Sequence, residues 1–276
     1  MTLLREALAA GRTRLPAAEA RVLLAEVLGC SAAWLIAHDD DPIDGEALRR
    51  YASLTARRAA GEPLAYLLGE REFFGHRFAV GPGVLIPRPE TELLVESALD
   101  ALRANYSGGG TARVLDLGTG SGCVAISVAL AAPMASVTAV DASADALSQA
   151  QANATRLGAR VRFLASDWFS AVAGDRFDII VGNPPYIAHD DPHLAQGDLR
   201  FEPAAALASG TDGLDALRVI IAAAPAHLAA GGWLWLEHGH DQAVPVRTLL
   251  LDAGFGDVAS RRDLAGIERI SGGRVR

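Results

Sequence analysis

From Arg113 onward, after a glycine-rich loop at 107–112, short apolar segments alternate with longer stretches of helical pattern. The apolar segments, such as RVLDLG at 113–118 and FDIIVG at 177–182, are nearly continuous in hydrophobic residues. Strands of this kind are buried on both faces, which is typical of a parallel sheet covered by helices on each side. The pattern therefore predicts an α/β protein with a mostly parallel sheet.

The end of the chain departs from this alternation. The segments VASRRD at 258–263 and ERISGGR at 268–274 both have strand character, and the residues between them leave no room for a helix. Two consecutive strands joined by a short turn run antiparallel. We therefore expect an antiparallel edge on the otherwise parallel sheet.

The beginning of the chain carries the start and stop signals of several helices. Pro16 suits the first turn of a helix that Gly29 would end, and Ser31 and Asp44 can each cap a further helix. We therefore expect residues 1–68 to form a small helical domain of their own.

The pattern changes again between this helical domain and the α/β region. Aromatic residues flank Gly75, which predicts a β-hairpin, and we assign residues 69–89 to a hairpin linker. A helix is expected from about Glu90 to Asn105. The second domain is therefore predicted to span residues 90–276.

The basic residues are unusual in kind, because all 25 of them are arginine and the chain contains no lysine. This composition excludes Walker-type ATP binding, pyridoxal Schiff bases and lysine-dependent aldolase chemistry. With 33 acidic residues the net charge is −8, which does not favour a broad grip on nucleic-acid backbones. We therefore expect no direct nucleic-acid partner.

The two cysteines, Cys30 and Cys123, are far apart in the sequence and form no C-x-x-C pair. A zinc site or a disulfide framework is not indicated, and a reducing cytoplasm is the natural setting. The most apolar stretch, 219–236, is interrupted by Pro225 and Gly231, so it does not fit a membrane span. We expect a cytoplasmic protein with no metal and no membrane contact.

The segment VLDLGTGSG is an apolar strand that runs into a loop rich in glycine. The residues of this loop are Gly118, Thr119, Gly120, Ser121 and Gly122. A dinucleotide fingerprint requires a third glycine at its sixth position, where this chain has Cys123. The spacing fits S-adenosylmethionine better than NAD, and Asp116 suits a ligand with a cationic amino group. The alternative is a tight turn without a ligand.

Two further strand ends offer groups suited to an adenosine. Asp141 follows the next strand, where a carboxylate can accept both ribose hydroxyls, and Ser143 can cap the helix beyond it. Asp167 and Trp168 follow the third strand and offer an acid and an aromatic face for an adenine. Three consecutive strand ends with fitting groups indicate a nucleoside-containing cofactor more strongly than any one of them.

The fourth strand ends in the tetrapeptide Asn183, Pro184, Pro185 and Tyr186. Two prolines fix the backbone and remove two N–H donors, so the Asn183 side chain and the Pro184 carbonyl can form a rigid pair of acceptors. Such a pair suits a planar NH2 group, and Tyr186 adds a flat face. A proline-rich turn without a binding role is the alternative.

Together the GTGSG loop and the NPPY tetrapeptide resemble class I methyltransferases that modify planar amide or exocyclic amino nitrogens. The flanking segments resemble the release factor glutamine methyltransferases of the HemK/PrmC type. Those segments are LIPRPETE at 85–92, FEPAAAL at 201–207, GTDGL at 210–214, LEHG at 236–239 and ERISGGR at 268–274. The resemblance implies a seven-stranded, mostly parallel Rossmann-like methyltransferase sheet with an antiparallel edge, plus a small N-terminal helical bundle.

The resemblance also implies a reaction. A methyl group passes from S-adenosylmethionine, which leaves as S-adenosylhomocysteine, to the side-chain amide nitrogen of the Gly-Gly-Gln glutamine of class I peptide chain release factors, in support of translation termination. The glycine loop would hold the methionine portion, Asp141 the ribose, and Asp167 and Trp168 the adenine. Asn183, Pro184, Pro185 and Tyr186 would hold the substrate glutamine, with Asn183 and Pro184 acting on its amide and Asn183 also bordering the cofactor.

Three points remain open from the sequence. Arg88 and Glu90 are expected beside the cofactor end of the cleft, although capping of the following helix explains them equally well. Residues 1–68 are expected to dock the protein substrate. An amino methyltransferase acting on adenine or cytosine in DNA or RNA would share the tetrapeptide, and the acidic charge weighs against it; a scaffold without activity is a further alternative.

Overall fold

The computed structural model describes residues 1–106 and 111–276, so the loop expected at 107–112 lies mostly outside the described residues. The described chain forms two compact units, Met1–Glu70 and Arg71–Arg276. No helix in the described ranges is long and apolar enough to cross a bilayer. Both cysteines of the chain are free thiols.

The first unit is a bundle of helices. They are α1 (Leu4–Arg12), α2 (Ala17–Leu28), α3 (Ala32–Ala37), α4 (Gly45–Ala59) and α5 (Leu64–Leu68). Gly29 ends α2 in the left-handed conformation at φ 64°. The side chains of Ser31 and Asp44 cap α3 and α4, since each accepts backbone N–H bonds from the first turn. The helix signals in the sequence are therefore confirmed.

The second unit begins with a β-hairpin and continues as an α/β sheet. The hairpin strands are β1 (Glu70–Phe73) and β2 (His76–Ala79). The sheet strands are β3 (Arg113–Leu117), β4 (Ser136–Asp141), β5 (Val161–Ala165), β6 (Phe177–Gly182), β7 (Leu228–Glu237), β8 (Gly256–Arg262) and β9 (Glu268–Arg274). The helices are α6 (Glu92–Tyr106), α7 (Cys123–Ala131), α8 (Ala144–Leu157), α9 (Asp215–His227) and α10 (Ala243–Asp252).

The seven sheet strands lie in the order β5-β4-β3-β6-β7-β9-β8. Strands β3 to β7 are parallel, and β9 is antiparallel to both of its neighbours. The predicted mostly parallel sheet with an antiparallel edge is therefore confirmed. The strands that follow β3 in the sequence, β4 and β5, lie on one side of it, whereas β6 and β7 lie on its other side, so the strand order reverses between β3 and β6. Ligands bind in the crevice at such a switch point.

Helices cover both faces of the sheet. Apolar residues of α6, α7 and α8 pack with one face, and those of α9 and α10 pack with the other. Successive residues of one strand serve opposite sides, since Val114 belongs to the first core and Leu115 to the second. Burial on both faces is why these strands are nearly continuous in hydrophobic residues.

Two element boundaries differ from the expectation. The apolar pattern favours a helix through residue 230, but α9 ends at His227 because Leu228 is already paired with Phe177 of β6. A shift of register after this pair and the positive φ of Gly231 accommodate the early start of β7. The helix expected from Glu90 begins two residues later, after a 3₁₀ turn.

Candidate active site

The glycine loop after β3 and the NPPY tetrapeptide after β6 meet at the switch point of the sheet. A cleft of about 400 Å³ opens there, within the range of roughly 300–1,000 Å³ typical of small-molecule sites. A Cβ atom added to Gly118 would lie 3.6 Å from the Trp168 ring and 3.9 Å from the Asn183 carbonyl oxygen. The ends of three strands therefore share one cleft.

The structure brings most of the predicted residues to the wall of this cleft. Those that line it are Gly118, Gly120, Asp141, Asp167, Trp168, Asn183, Pro184 and Pro185. The remaining loop residues Thr119, Ser121 and Gly122 do not line the cleft, and neither does Tyr186. Arg88 and Glu90 do not line the cleft, although Leu85 of the same segment does.

The three loop glycines are required by the backbone. Gly118, Gly120 and Gly122 have φ angles of 69°, 56° and 82°, in the left-handed region that other residues rarely adopt. A Cβ on Gly122 would come within 2.8 Å of Ile126, whereas one on Gly120 would meet no described protein atom within 4 Å. Gly122 therefore serves packing, while Gly120 offers bare backbone to the open cleft.

Asp116 supports the glycine loop through hydrogen bonds. It is 2% exposed, and its Oδ2 accepts hydrogen bonds from the Thr119 hydroxyl at 2.7 Å and from the backbone nitrogen of Ala125 at 3.2 Å. Burial raises its pKa to about 6, and these hydrogen bonds oppose the rise. Asp116 thus joins the loop to α7 and is not itself part of the cleft wall.

Asp141 connects the glycine loop after β3 to the start of α8. Its Oδ2 accepts the backbone N–H of Gly120 at 2.8 Å, and its Oδ1 accepts that of Ser143 at 2.9 Å. The cap of α8 is Ser143, whose hydroxyl oxygen accepts the backbone N–H of Ala146 at 3.2 Å. Because each carboxylate oxygen has two lone pairs, Asp141 retains capacity to accept bonds from a ligand.

Ser166, which the sequence did not single out, holds the turn that carries Trp168. Its hydroxyl donates to the Trp168 carbonyl at 2.8 Å and accepts the backbone N–H of Ala171 at 3.0 Å. Trp168 has a φ of 45°, an uncommon value for an aromatic residue. Ser166 fixes this conformation, and a serine after a strand gives no sequence signal for such a role.

Hydrogen bonds with Thr91, Glu237 and Gln242 hold the NPPY tetrapeptide in place. The side-chain Nδ2 of Asn183 donates to the Thr91 hydroxyl oxygen at 3.3 Å. The Tyr186 hydroxyl donates to Oε1 of Glu237 at 3.2 Å, and the Tyr186 carbonyl accepts from Nε2 of Gln242 at 2.9 Å. Gln242 carries no signal in the sequence, and Thr91 and Glu237 stand there only as members of the segments LIPRPETE and LEHG.

Glu237 and Tyr186 form a hydrogen-bonded pair in which the pKa of each group is raised. Burial raises the pKa of Glu237 to about 7, against the lowering effect of hydrogen bonds from Thr91 and Tyr186. Burial and the neighbouring carboxyl raise the pKa of Tyr186 far above its usual value. Tyr186 is therefore a neutral hydrogen-bond donor to Glu237 at physiological pH.

Gln242 explains why two further segments stand close to the tetrapeptide. Besides Tyr186, its Nε2 donates to the Asp212 carbonyl at 3.3 Å, and its Oε1 accepts the backbone N–H of Gly239 at 2.8 Å. A Cβ on Gly213 would collide with the Tyr186 carbonyl oxygen. The segments GTDGL and LEHG thus form the support behind NPPY.

Arg88 has a structural partner. Its Nη2 lies 2.5 Å from Oε1 of Glu202, whose side chain is fully buried, and the other carboxylate oxygen accepts the backbone N–H of Ile86 at 3.3 Å. Burial raises the pKa of Glu202, and Arg88 opposes this rise. The pair joins LIPRPETE to FEPAAAL, and each segment contributes to the cleft wall through Leu85 and Pro203.

The His238 ring is also held by hydrogen bonds within the protein. Its Nδ1 contacts the Gly239 carbonyl and its Nε2 the Ser271 hydroxyl, both at 2.8 Å. Burial lowers its pKa, so the ring is neutral, with Nδ1 as donor and Nε2 as acceptor. Within the described ranges no three His, Cys, Asp or Glu side chains are grouped to hold a metal ion.

This sheet order, with a glycine loop after β3 and an acid after β4, defines the class I S-adenosylmethionine-dependent methyltransferase fold. Solved structures share it. A Thermus thermophilus 16S rRNA methyltransferase in complex with AdoMet and guanosine aligns with a TM-score of 0.53 at 23% identity, over 75% of this chain and 50% of that one. A Pyrococcus furiosus methyltransferase aligns with a TM-score of 0.53 at 18% identity, over 81% and 98%.

Sequence relatives are closer and cover the whole chain. Residues 2–69 match the PrmC N-terminal domain, and residues 90–210 match the methyltransferase small domain. The release factor glutamine methyltransferase of Bordetella pertussis is 60% identical over 99% of both chains. That of Burkholderia pseudomallei is 57% identical over 95% of this chain and 93% of its own. The chain belongs to the release factor glutamine methyltransferase family.

Proposed function

We propose that this chain transfers a methyl group from S-adenosylmethionine to the side-chain amide nitrogen of the glutamine in the Gly-Gly-Gln motif of class I peptide chain release factors. The reaction supports translation termination. The observation that carries this proposal is the position of Asn183. Its side chain stands at the wall of the cleft with Nδ2 bonded to Thr91, which leaves Oδ1 as an acceptor for an amide N–H.

The cleft fits S-adenosylmethionine in size and in chemistry. Gly118 and Gly120 offer backbone without side chains, Asp141 offers carboxylate oxygens to the ribose hydroxyls, and Trp168 with Asp167 borders the space for the adenine. When bound, S-adenosylmethionine supplies a methyl group on a positively charged sulfur, which is the electrophile of the reaction. We assign no metal to the site.

The protein has to make an amide nitrogen nucleophilic. That nitrogen is a poor nucleophile because its lone pair is delocalised into the carbonyl group. The Oδ1 of Asn183 and the carbonyl oxygen of Pro184 accept its two N–H bonds and stabilise the positive charge that develops during attack. The rigid prolines would also fix the position and orientation of the substrate amide in the cleft. Tyr186, anchored by Glu237 and Gln242, keeps the tetrapeptide in this shape.

We assign substrate docking to the helical N-terminal domain, residues 1–68, with the hairpin linker at 69–89 and the methyltransferase domain at 90–276. The match to the PrmC N-terminal domain supports this division. The helices of the first unit have their own apolar core, and the cleft is lined by residues 83–206 alone. A self-contained bundle of this kind is free to recognise the folded release factor.

The cellular setting follows from the substrate. Release factors act on ribosomes, so we propose a cytoplasmic location, in keeping with two free thiols. The net charge of −8 supports a protein substrate in preference to a nucleic acid.

Methyl transfer from radiolabelled S-adenosylmethionine to a purified class I release factor tests the proposal. A release factor with the Gly-Gly-Gln glutamine replaced is the control. We expect label on the wild-type factor alone. Label on both factors would place the modification elsewhere on the protein. Label on RNA or DNA and on neither factor would make the chain a nucleic-acid amino methyltransferase.

A further inference from the structure

Asn153 is a polar residue on the buried side of α8. It is 0% exposed, and the other buried residues of this helix are Ala146, Leu147, Ala150 and Ala154. Asparagine inside a helix is less favourable for helix formation than alanine or leucine, and a buried amide has to find hydrogen-bond partners. Packing of the helix alone therefore does not account for an asparagine at this position.

The partners of Asn153 belong to two other segments of the chain. Its Oδ1 accepts the backbone N–H of Ala79 at 2.8 Å, and its Nδ2 donates to the Ala79 carbonyl at 3.0 Å. The same Nδ2 donates to the Ser121 carbonyl at 2.9 Å. Oδ1 also accepts from Nη2 of Arg156 at 3.4 Å. One side chain thus joins the end of β2 to the glycine loop.

The Ser121 carbonyl lies where the glycine loop leads into α7. In a regular helix it would accept the backbone N–H four residues later, which is that of Ala125. That N–H bonds instead to Oδ2 of Asp116 at 3.2 Å. Asn153 supplies a donor in its place, and so fixes the orientation of the peptide group that follows Ser121.

The segment that follows β2 reaches the cleft as well. Residues 83–85 line the cleft wall, and β2 ends shortly before them at Ala79. A Cβ added to Gly83 would lie 3.2 Å from the Cβ atom of Asp145 in α8, so there is little room between this segment and the helix. The two bonds between Asn153 and Ala79 fasten the start of the segment to the same helix.

We propose that Asn153 is a positioning residue for cofactor binding, which holds the glycine loop and residues 83–85 in the arrangement that binds S-adenosylmethionine. Asn153 does not itself line the cleft, so it acts through the backbone of Ser121 and Ala79. The inference rests on the proposed function for the identity of the cofactor, and it does not depend on the identity of the methyl acceptor.

Two variants of Asn153 test the proposal. Asn153→Leu keeps the approximate size of the side chain and removes its hydrogen bonds, whereas Asn153→Asp keeps an acceptor for the Ala79 N–H and replaces the NH2 donor. We expect the Kd of S-adenosylmethionine, measured by calorimetry at a pH of about 8, to rise by about tenfold or more in both, because the Ser121 carbonyl loses its donor. The KM for S-adenosylmethionine should rise in parallel. The kcat should change much less, since Asn183 and Pro184 are untouched.

Two further variants separate this role from charge and from stability. Gln151→Glu places a negative charge on the exposed side of the same helix and should leave the Kd unchanged. Leu250→Ala opens a cavity in the core beside α10 and should lower the Tm without changing the Kd. All Kd values are compared well below the lowest Tm. A lower Tm with a wild-type Kd in Asn153→Leu would overturn the proposal, because Asn153 would then contribute to folding alone.

A readout without cofactor checks the contact itself. Hydrogen exchange at the Ala79 backbone N–H should be slow in the wild type and in Asn153→Asp, and faster in Asn153→Leu. Fast exchange in the wild type would contradict the contact.

Methylation of the release factor by the same samples keeps the inference separate from the proposed function. If the factor is not methylated but the Kd follows the expected pattern, the methyl acceptor is wrong and the role of Asn153 stands. If the wild type methylates the factor and Asn153→Leu binds S-adenosylmethionine as tightly as the wild type, the function stands and the role of Asn153 is wrong.

Discussion

One carboxylate oxygen of Asp141 accepts a hydrogen bond from the backbone nitrogen of Gly120 at 2.8 Å, so the acid that ends β4 is fixed to the loop that follows β3. The other oxygen accepts the backbone N–H of Ser143 at 2.9 Å. Asp141 is thereby held rigidly at the cleft wall without the use of another side chain. This relationship makes the side of the cleft around Asp141 a preformed surface.

Replacing Asp141 should weaken cofactor binding. Asp141→Ala removes the proposed acceptor for the ribose hydroxyls and releases the Gly120 backbone, and hydrogen bonds to a charged group contribute about 1.5–3 kcal/mol. We expect the Kd of S-adenosylmethionine, measured by calorimetry, to rise by roughly tenfold to a hundredfold. Asp252→Ala makes the same charge change at an exposed position in α10 and should leave the Kd unchanged. An unaltered Kd in Asp141→Ala would remove Asp141 from the binding site.

Turnover should depend on the ionisation of Glu237. The groups that face it are Tyr186, Glu90, Arg269 and the buried thiol of Cys123. Burial raises its pKa to about 7, and only the ionised carboxylate accepts the Tyr186 hydroxyl as a charge-assisted hydrogen bond. We therefore expect kcat to rise with pH through about 7 and level off above it, and to fall at lower pH toward the value of a variant that cannot ionise at this position.

The control for this pH profile is Glu237→Gln, which cannot ionise. Its kcat should be low and should lack the step near pH 7 that Glu237 produces in the wild type. The profile should be recorded at saturating concentrations of both substrates, so that it reports on the bound complex. If the same step persists in Glu237→Gln, the titrating group lies elsewhere.

The ion pair between Arg88 and Glu202 should contribute to stability. Glu202→Gln leaves the shape nearly unchanged but removes the charge that Arg88 contacts, and Arg88 is partly exposed. We expect the free energy of unfolding in urea to fall by about 1–3 kcal/mol. In Arg88→Met the same Glu202→Gln change should cost clearly less, because the partner is already absent. Equal costs in the two backgrounds would show that the residues are not coupled.

Removal of residues 1–70 tests the docking role of the helical unit. The cleft is lined entirely by later residues, so we expect the Kd of S-adenosylmethionine to be preserved. Methylation of the folded release factor should be abolished, whereas methylation of a short Gly-Gly-Gln peptide should fall less. Equal losses on the two substrates would instead mean that the bundle only stabilises the second unit.

The parts of the fold that the sequence predicts are those encoded locally. Continuous apolar strands, helix caps such as Ser31, and a glycine loop each depend on neighbouring residues, and the structure contains all of them. The apolar pattern predicts a helix that continues to residue 230, whereas the pairing of Leu228 with Phe177, which is a tertiary contact, ends α9 at His227. Such a contact overrides the helical pattern and leaves no trace in a short window of sequence.

The same distinction holds in the candidate site. Gly118, Asp141 and Asn183 follow strands directly, and all three line the cleft. Thr91 lies 92 positions before Asn183, and Gln242 lies 56 positions after Tyr186. Threonine and glutamine are common surface residues, so only the folded chain reveals that they brace the tetrapeptide. Arg88 was predicted beside the cofactor, and its contact with Glu202 depends on an equally distant segment.

The most direct measurement is mass spectrometry of a class I release factor after incubation with S-adenosylmethionine and either the wild-type chain or Asn183→Ala. The account predicts one added methyl group on the side chain of the Gly-Gly-Gln glutamine with the wild type. With Asn183→Ala it predicts a turnover lower by on the order of a hundredfold, at a nearly unchanged Kd for S-adenosylmethionine. A methyl group on another residue, or full turnover by Asn183→Ala, would contradict it.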